Sequence, residues 1–301
     1  MIYQPYIWIN KSDSFTTAKN KFKQMKKLLF LTALACFSLF AKAQNKGTLF
    51  IIGGGNRSDA LMQQMLKTAD LKVNDYVVVL PMASEVPDAG FQTLSAQLNK
   101  LDPRVIKNFN FSKHDVNDKK WIDSLAKAKL IYILGGDQSR FMKVVLNTPI
   151  YDAIHKAYQH GSTIAGTSAG AAVMSKYMIT GKQLLDTVYK ETFNKLWDKN
   201  IEFSPGMGLL ENTIIDQHFL KRNRYNRLIS ALAAHPDLVC VGIDESTAII
   251  VHGSKATVAG ESQVIRLANP KALKKTNAGL LKFSQAAFGI FTAGDVIDIK
   301  P

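Results

Sequence analysis

Cysteine is nearly absent from this chain of 301 residues, which contains only Cys36 and Cys240. Cys36 falls in an N-terminal stretch that reads as a removable leader, leaving Cys240 alone in the apolar run Leu238-Val239-Cys240-Val241. A disulfide framework in the mature chain is thereby excluded, and stability must come from a buried core. Long apolar runs are also missing: the run at 28–40 is shorter than the roughly 20 residues that span a bilayer, so no integral membrane segment is expected after processing. No internal repeat, low-complexity tract or linker interrupts residues 44–301, which read as a single domain large enough for a substantial core. Blocks of lysine and arginine with interleaved aromatics do not occur, which argues against nucleic acid as a partner.

The N-terminus has a different character. Lys26-Lys27, the apolar run 28–40 and Ala41-Lys42-Ala43 before Gln44 form the basic, apolar and Ala-x-Ala parts of a secretory signal peptide at 25–43. Met25 is a natural start, so 1–24 reads as an upstream extension of the reading frame, and export to the periplasm or the exterior is the expectation. Lipoprotein processing at Cys36 is a rival, but Ala33-Leu34-Ala35 matches that signal poorly. Residues 1–43 hold seven lysines and one aspartate, so their removal lowers the formal charge from +14 to +8. The remaining basicity suits either a solvated surface or attraction of an acidic partner.

Beyond the leader, short β-rich runs at 48–52, 76–80, 130–134 and 162–165 alternate with helical spacing near 59–68, 91–98, 140–146 and 150–158. Continuous apolar strands between helices predict an α/β fold with a mainly parallel sheet and functional loops at the carboxyl ends of the strands. From residue 238 onward, closely spaced strands at 239–243, 248–252, 256–259 and 263–267 predict a terminal antiparallel meander.

Gly166-Thr167-Ser168-Ala169-Gly170 follows an apolar strand and precedes a helix-compatible stretch, the setting of a Gly-x-Ser-x-Gly nucleophile elbow. Small neighbours let the chain turn tightly enough to expose a serine at the end of a buried strand. Gly135-Gly136-Asp137-Gln138 follows another strand, and its amides could complete an oxyanion hole begun by Ala169, or it could simply be a turn into a helix. Gly53-Gly54-Gly55-Asn56-Arg57-Ser58 lacks the third glycine of a dinucleotide loop, so cofactor binding is not expected there. His218, in Asp216-Gln217-His218-Phe219 after the apolar Ile214-Ile215, is the leading general base. His114, His155, His160 and His235 read as surface residues, and His252 as structural unless the fold is an α/β-hydrolase. Asp244 or Glu245, on opposite faces at the end of another strand, would orient the base. Arg222, Arg224 and Arg227 suit either a solvated face of a helix starting near Phe219 or a site for substrate carboxylates.

Taken together, Gly-Gly-Asp-Gln at 135–138, Gly-Thr-Ser-Ala-Gly-Ala at 166–171, Asp-Gln-His-Phe with the three arginines, and Gly-Ile-Asp-Glu at 242–245 resemble the cyanophycinases and the wider peptidase S51 group, which includes peptidase E. The resemblance covers residues 47–267 and implies a class I glutamine-amidotransferase-like (flavodoxin-like) sandwich. It implies Ser168, His218 and Glu245 as the catalytic triad, and Gln138, Asp216, Gln217, Arg222, Arg224 and Arg227 as substrate-binding residues. The order serine, histidine, acid also separates the chain from the α/β-hydrolases, in which the acid precedes the histidine. No cofactor or metal is needed. The implied substrate is an arginyl-poly-aspartate polymer cleaved to β-aspartyl-arginine, or else short aspartyl or isoaspartyl peptides; a non-catalytic envelope binding protein is the reading of another class. A homodimer is expected by analogy alone. Residues 187–192 and Trp197 could not be aligned to the family and bear on the shape of its pocket.

Overall fold

In the computed structural model the first strand of the unit Asn45–Pro301 is β1 (Leu49–Ile52), and all four of its residues are buried. Alternation decides where each points: Leu49 and Ile51 enter one core cluster, Phe50 and Ile52 another on the opposite face. A strand buried on both faces has no use for polar residues, hence its unbroken apolar sequence. The structure describes Met1, residues 46–185, Val188, Lys190 and residues 192–301. The expected extension (apart from Met1), the signal peptide and Cys36 lie outside the described residues, as do Thr187, Tyr189 and Glu191 of the unaligned loop.

In chain order the first half continues with α1 (Asp59–Ala69), β2 (Val77–Leu80), α2 (Pro87–Leu101), β3 (Ile106–Asn108), α3 (Lys119–Ala126), β4 (Leu130–Ile133), α4 (Gln138–Val145), α5 (Pro149–Gln159), β5 (Thr163–Thr167) and α6 (Ala169–Ala172). A ribbon of β6 (Tyr177–Gln183) and β7 (Ile201–Pro205) leads to β8 (Thr213–Gln217), α7 (Tyr225–Ala234) and β9 (Val239–Ile243). Then follow β10 (Thr247–His252), β11 (Lys255–Gly260), β12 (Val264–Lys271), β13 (Lys274–Lys275), β14 (Leu281–Lys282), β15 (Gln285–Phe291) and β16 (Val296–Asp298).

The large sheet has the order β16-β11-β10-β1-β5-β4-β2-β3. Its members β1, β5, β4, β2 and β3 are parallel, while β10, β11 and β16 add an antiparallel wing beside β1. The carboxyl ends of β1, β4 and β5 therefore come out at one edge, side by side. A second sheet, β15-β12-β9-β8, pairs β8 and β9 in parallel, so their carboxyl ends also lie together. Ile215, Val241 and Ile243 of this sheet join the same core cluster as Leu49 and Ile51, whereas Ile214, Cys240 and Ile265 pack outward with Leu228 and Leu232 of α7. Each such side chain taken fully out of water contributes about 1.5–3 kcal/mol, which is how a domain without disulfides is held.

Three sequence-based expectations need adjustment. The C-terminal strands do not form one meander: β10 and β11 join the large sheet, while β9 and β12 pair in the second. Alternating apolar residues mark such strands as half-buried or buried without saying which sheet receives them. The helix carrying Arg227 starts at Tyr225 rather than near Phe219, so Arg222 and Arg224 sit in the turn before it. Helix α3, which starts with two lysines and a tryptophan, was not anticipated; Asp118 caps it by accepting from the amides of Lys120 and Trp121.

Candidate active site

Ser168 stands between β5 and α6 with φ 53° and ψ −110°, a conformation that L-residues rarely adopt and that costs of the order of 1–3 kcal/mol. Two glycines make the turn possible. A Cβ on Gly166 would come within 2.2 Å of the Gly170 carbonyl oxygen, and one on Gly170 within 2.3 Å of that of Ile133. The amide of Ser168 donates to the Ile52 carbonyl at 3.0 Å, prolonging the pairing of β5 with β1 and fixing the serine at the sheet edge.

His218 and Glu245 reach the same point from the second sheet, just after β8 and β9. Ser168 Oγ is 2.7 Å from His218 Nε2, and His218 Nδ1 is 2.7 Å from Glu245 Oε1. With Nδ1–H donating to the carboxylate, Nε2 remains the acceptor for the serine hydroxyl. Burial pushes the His218 pKa below its ordinary 6.5; the hydrogen bond to Glu245 opposes this, and the positive charges of Arg222 and Arg224 add to it. The imidazole is therefore neutral at pH 7 and able to take a proton. Asp244 faces away, accepting from the Lys221 amide at 2.9 Å and from the Ser262 hydroxyl at 2.7 Å, so Glu245 alone of the two meets His218.

The junction between the sheets is made by a segment whose part the sequence did not reveal. Gly53 packs against the backbone of Ile243 and Asp244, Gly54 against His218 and Gly55 against Glu245. A Cβ on Gly54 would lie 2.3 Å from His218 Cε1, and one on Gly55 2.6 Å from Glu245 Cβ. Gly53 accepts from the His218 amide at 2.8 Å and Gly54 from the Ser246 amide at 2.9 Å. Three glycines in a row were the available signal, but only the approach of β8 and β9 explains them.

Two cavities border Ser168. One, of about 420 Å³, is lined by Gly136, Gln138, Thr180, Gly181, Gln217, His218, Arg222, Arg224 and Arg227. The other, of about 400 Å³, is lined by Gly54, Gly55, Arg57, Ser84, Val86, Thr93, Gly135 and Thr167 among others. Gly135 closes up to Ser168, since a Cβ on it would be 3.3 Å from the serine Cβ, and Ala169 is buried as the first residue of α6. Gln138 lines the first cavity but is tethered, its amide donating to the carbonyls of Ile179 and Thr180 at 2.9 and 2.8 Å. Thr180 and Gly181 were not anticipated, because β6 joins the site through tertiary contacts, among them those with Gln138 and Arg227.

Asp216 departs from the role expected for it. It is fully buried and does not line the cavity; Arg227 forks onto its carboxylate, and Arg224 lies 3.7 Å from it. Arg224 also donates to the Gln217 carbonyl at 2.6 Å. A carboxylate so placed holds arginines rather than meeting a substrate cation directly. Arg222, Arg224 and Arg227 all line the cavity, with Arg224 and Arg227 buried beside the Asp216 carboxylate.

The remaining histidines have other partners. His155 meets the Met207 carbonyl at 2.6 Å, His252 the Thr48 hydroxyl at 2.9 Å and His114 the Asp118 carboxylate at 2.7 Å. His160 is bonded within its own helix end, and His235 stacks near Tyr177 and Phe203. Among the described residues no helix is long and apolar enough to cross a membrane.

Comparison with known proteins gives a consistent family. Residues 46–259 match the model of peptidase family S51. The chain is 34% identical over 213 residues to a cyanophycinase of Nostoc sp., covering 67% of this chain and 66% of that protein. It is 30% identical over 239 residues to a cyanophycinase of Thermosynechococcus vestitus, covering 77% and 71% respectively. Among solved structures, a peptidase from an acI-B1 actinobacterium superposes with a TM-score of 0.62 at 23% identity, covering 85% of this chain and 98% of that one. A peptidase E protein from Listeria monocytogenes gives 0.51 at 16% identity, with 72% and 100% covered, and both likenesses concern the fold.

Proposed function

The chain belongs to peptidase family S51, a family of serine-type peptidases, and we propose that it is an exported exopeptidase that cleaves cyanophycin to β-aspartyl-arginine through Ser168, His218 and Glu245. The observation that carries this reading is the pair of 2.7 Å contacts linking the serine hydroxyl, the imidazole and the carboxylate. His218 takes the Ser168 proton as the oxygen attacks a backbone carbonyl of the substrate's aspartyl residue. The amides of Ala169 and of Gly135 or Gly136 hold the oxyanion, His218 protonates the leaving amine, and water releases the acyl group by the reverse path. Glu245 keeps the imidazole in the required tautomer and stabilises its charge.

The substrate reading rests on charge as well as on the named relatives. An arginine attached to the polymer through its α-amine keeps a free α-carboxylate, and Arg222, Arg224 and Arg227 line a cavity suited to receive it. Gln138 and Gln217 supply neutral polar groups in the same cavity, and Asp216 fixes the arginines. Export follows from the signal at 25–43 and would place the enzyme where it meets polymer released by other cells.

The test is incubation of the purified protein with insoluble cyanophycin and separately with short aspartyl peptides, products being resolved by mass spectrometry. Release of β-aspartyl-arginine that disappears in Ser168→Ala supports the reading. Cleavage of short peptides alone moves the substrate to the peptidase E side, and turnover of neither contradicts it. N-terminal sequencing of the protein from its native cells should begin at Gln44; retention of 25–43 would contradict export by this signal.

A further inference from the structure

The second cavity beside Ser168 contains polar groups that the proposed mechanism does not use. Arg57 is the charged side chain that lines it, and no carboxylate pairs with Arg57 among the described residues. Behind it lies Tyr132, fully buried, whose hydroxyl is close to Thr167 and Arg57. Thr167, only 4% exposed, itself lines the cavity. Yet Tyr132 Oη, Thr167 Oγ1 and Arg57 Nε are all buried without a partner in hydrogen-bonding geometry. Buried polar groups are ordinarily satisfied because leaving them bare is costly, so Arg57 Nε and Thr167 Oγ1, whose residues both line the cavity, mark the place of a ligand.

The chemistry of the set selects the ligand. A guanidinium offers parallel N–H donors that match a carboxylate, and the Thr167 hydroxyl can donate one more bond. The walls nearby, Val86, Ala89 and Leu134, are apolar and strengthen any charge interaction made there. Position selects the part of the substrate. Gly54, packed on the His218 ring, lines this cavity, so an amine leaving toward it departs beside the proton donor. We propose that Arg57, with Thr167, forms a leaving-group subsite that binds the free C-terminal α-carboxylate of the peptide substrate. Such a subsite distinguishes a chain end from a chain interior, because only the end carries that group. The inference builds on the peptidase reading and adds which terminus the enzyme recognises.

The test separates binding from turnover. Calorimetry on the Ser168→Ala protein would compare the dipeptide Asp-Leu with its C-terminal amide. The free acid should bind at least about tenfold more tightly, in keeping with a charge-assisted, forked hydrogen bond. Arg57→Gln in the same background should erase that preference, and Arg57→Lys, which keeps the charge without the fork, should retain part of it. Equal affinities in the Ser168→Ala protein, or a preference that survives in a folded Arg57→Gln variant, would overturn the proposal. If the unsubstituted protein turns over no peptide while the Arg57-dependent preference is present, the peptidase reading fails and the carboxylate subsite stands.

Discussion

The two sheets equip the same edge by different means. The large sheet presents Ser168 through local strain, one residue at φ 53° held between close-packed glycines. The second sheet presents His218 and Glu245 on longer side chains, after parallel strands whose ends are seated by the glycines following β1. The proposed nucleophile is thus positioned within one sheet, but the proposed base is positioned by contact between the sheets. Reactivity therefore depends on the junction as much as on the elbow, and variants on either side should fail differently.

The largest effect is expected at the elbow itself. Ser168→Ala removes the proposed nucleophile and should lower kcat by a factor on the order of 10⁶, with little change in melting temperature because alanine keeps the Cβ and the same backbone conformation. Persistence of activity would break the comparison at its first term. Glu245→Gln leaves the geometry nearly intact but permits the wrong imidazole tautomer, for a loss of roughly 10⁴ in kcat and little change in KM. Gly54→Ala tests the junction: a methyl group 2.3 Å from the His218 ring must displace it, and φ +117° adds strain. Displacement by about 1 Å should cost on the order of 10² in kcat/KM, together with about 1–3 kcal/mol of stability, measured by denaturant titration.

The smallest effect is electrostatic. Because burial and the nearby arginines hold the His218 pKa below 6.5, the acid limb of kcat/KM should fall below pH 6.5, with activity retained at neutrality. The sign follows from protonation: with the neutral imidazole as the proposed base, activity should be lost as pH falls through the folded-state value. The same depression makes the unfolded chain bind more protons there, so this contribution to stability is full above pH 6.5 and is lost in the same acid range. Arg222→Gln removes one of the positive charges and should move the acid limb to higher pH. A limb unmoved, or moved down, would show that Arg222 does not act on His218.

Much of the large sheet was legible in the sequence because its strands are unbroken apolar runs closed by glycine or proline, and the elbow announces itself through spacing of small residues. The partition of the C-terminal strands was not legible, since the same alternation serves either sheet. Glu245 was favoured over Asp244 by resemblance, not by pattern; the physical reason is that Asp244 is engaged by the Lys221 amide and Ser262. Asp216 is a substrate ligand by the resemblance alone, whereas the fold shows it buried and already paired. The glycines at 53–55 and Arg57 acquire their roles from residues about 80 to 190 positions away, beyond the reach of any local rule.

The central claim is that Ser168, activated by His218, is the nucleophile. Its most direct test is treatment of the purified protein with a fluorophosphonate serine probe, followed by intact mass and peptide mapping. The account predicts one adduct on Ser168, absent in Ser168→Ala and formed far more slowly in His218→Gln. No adduct on a folded protein, or an adduct on another serine, would contradict it.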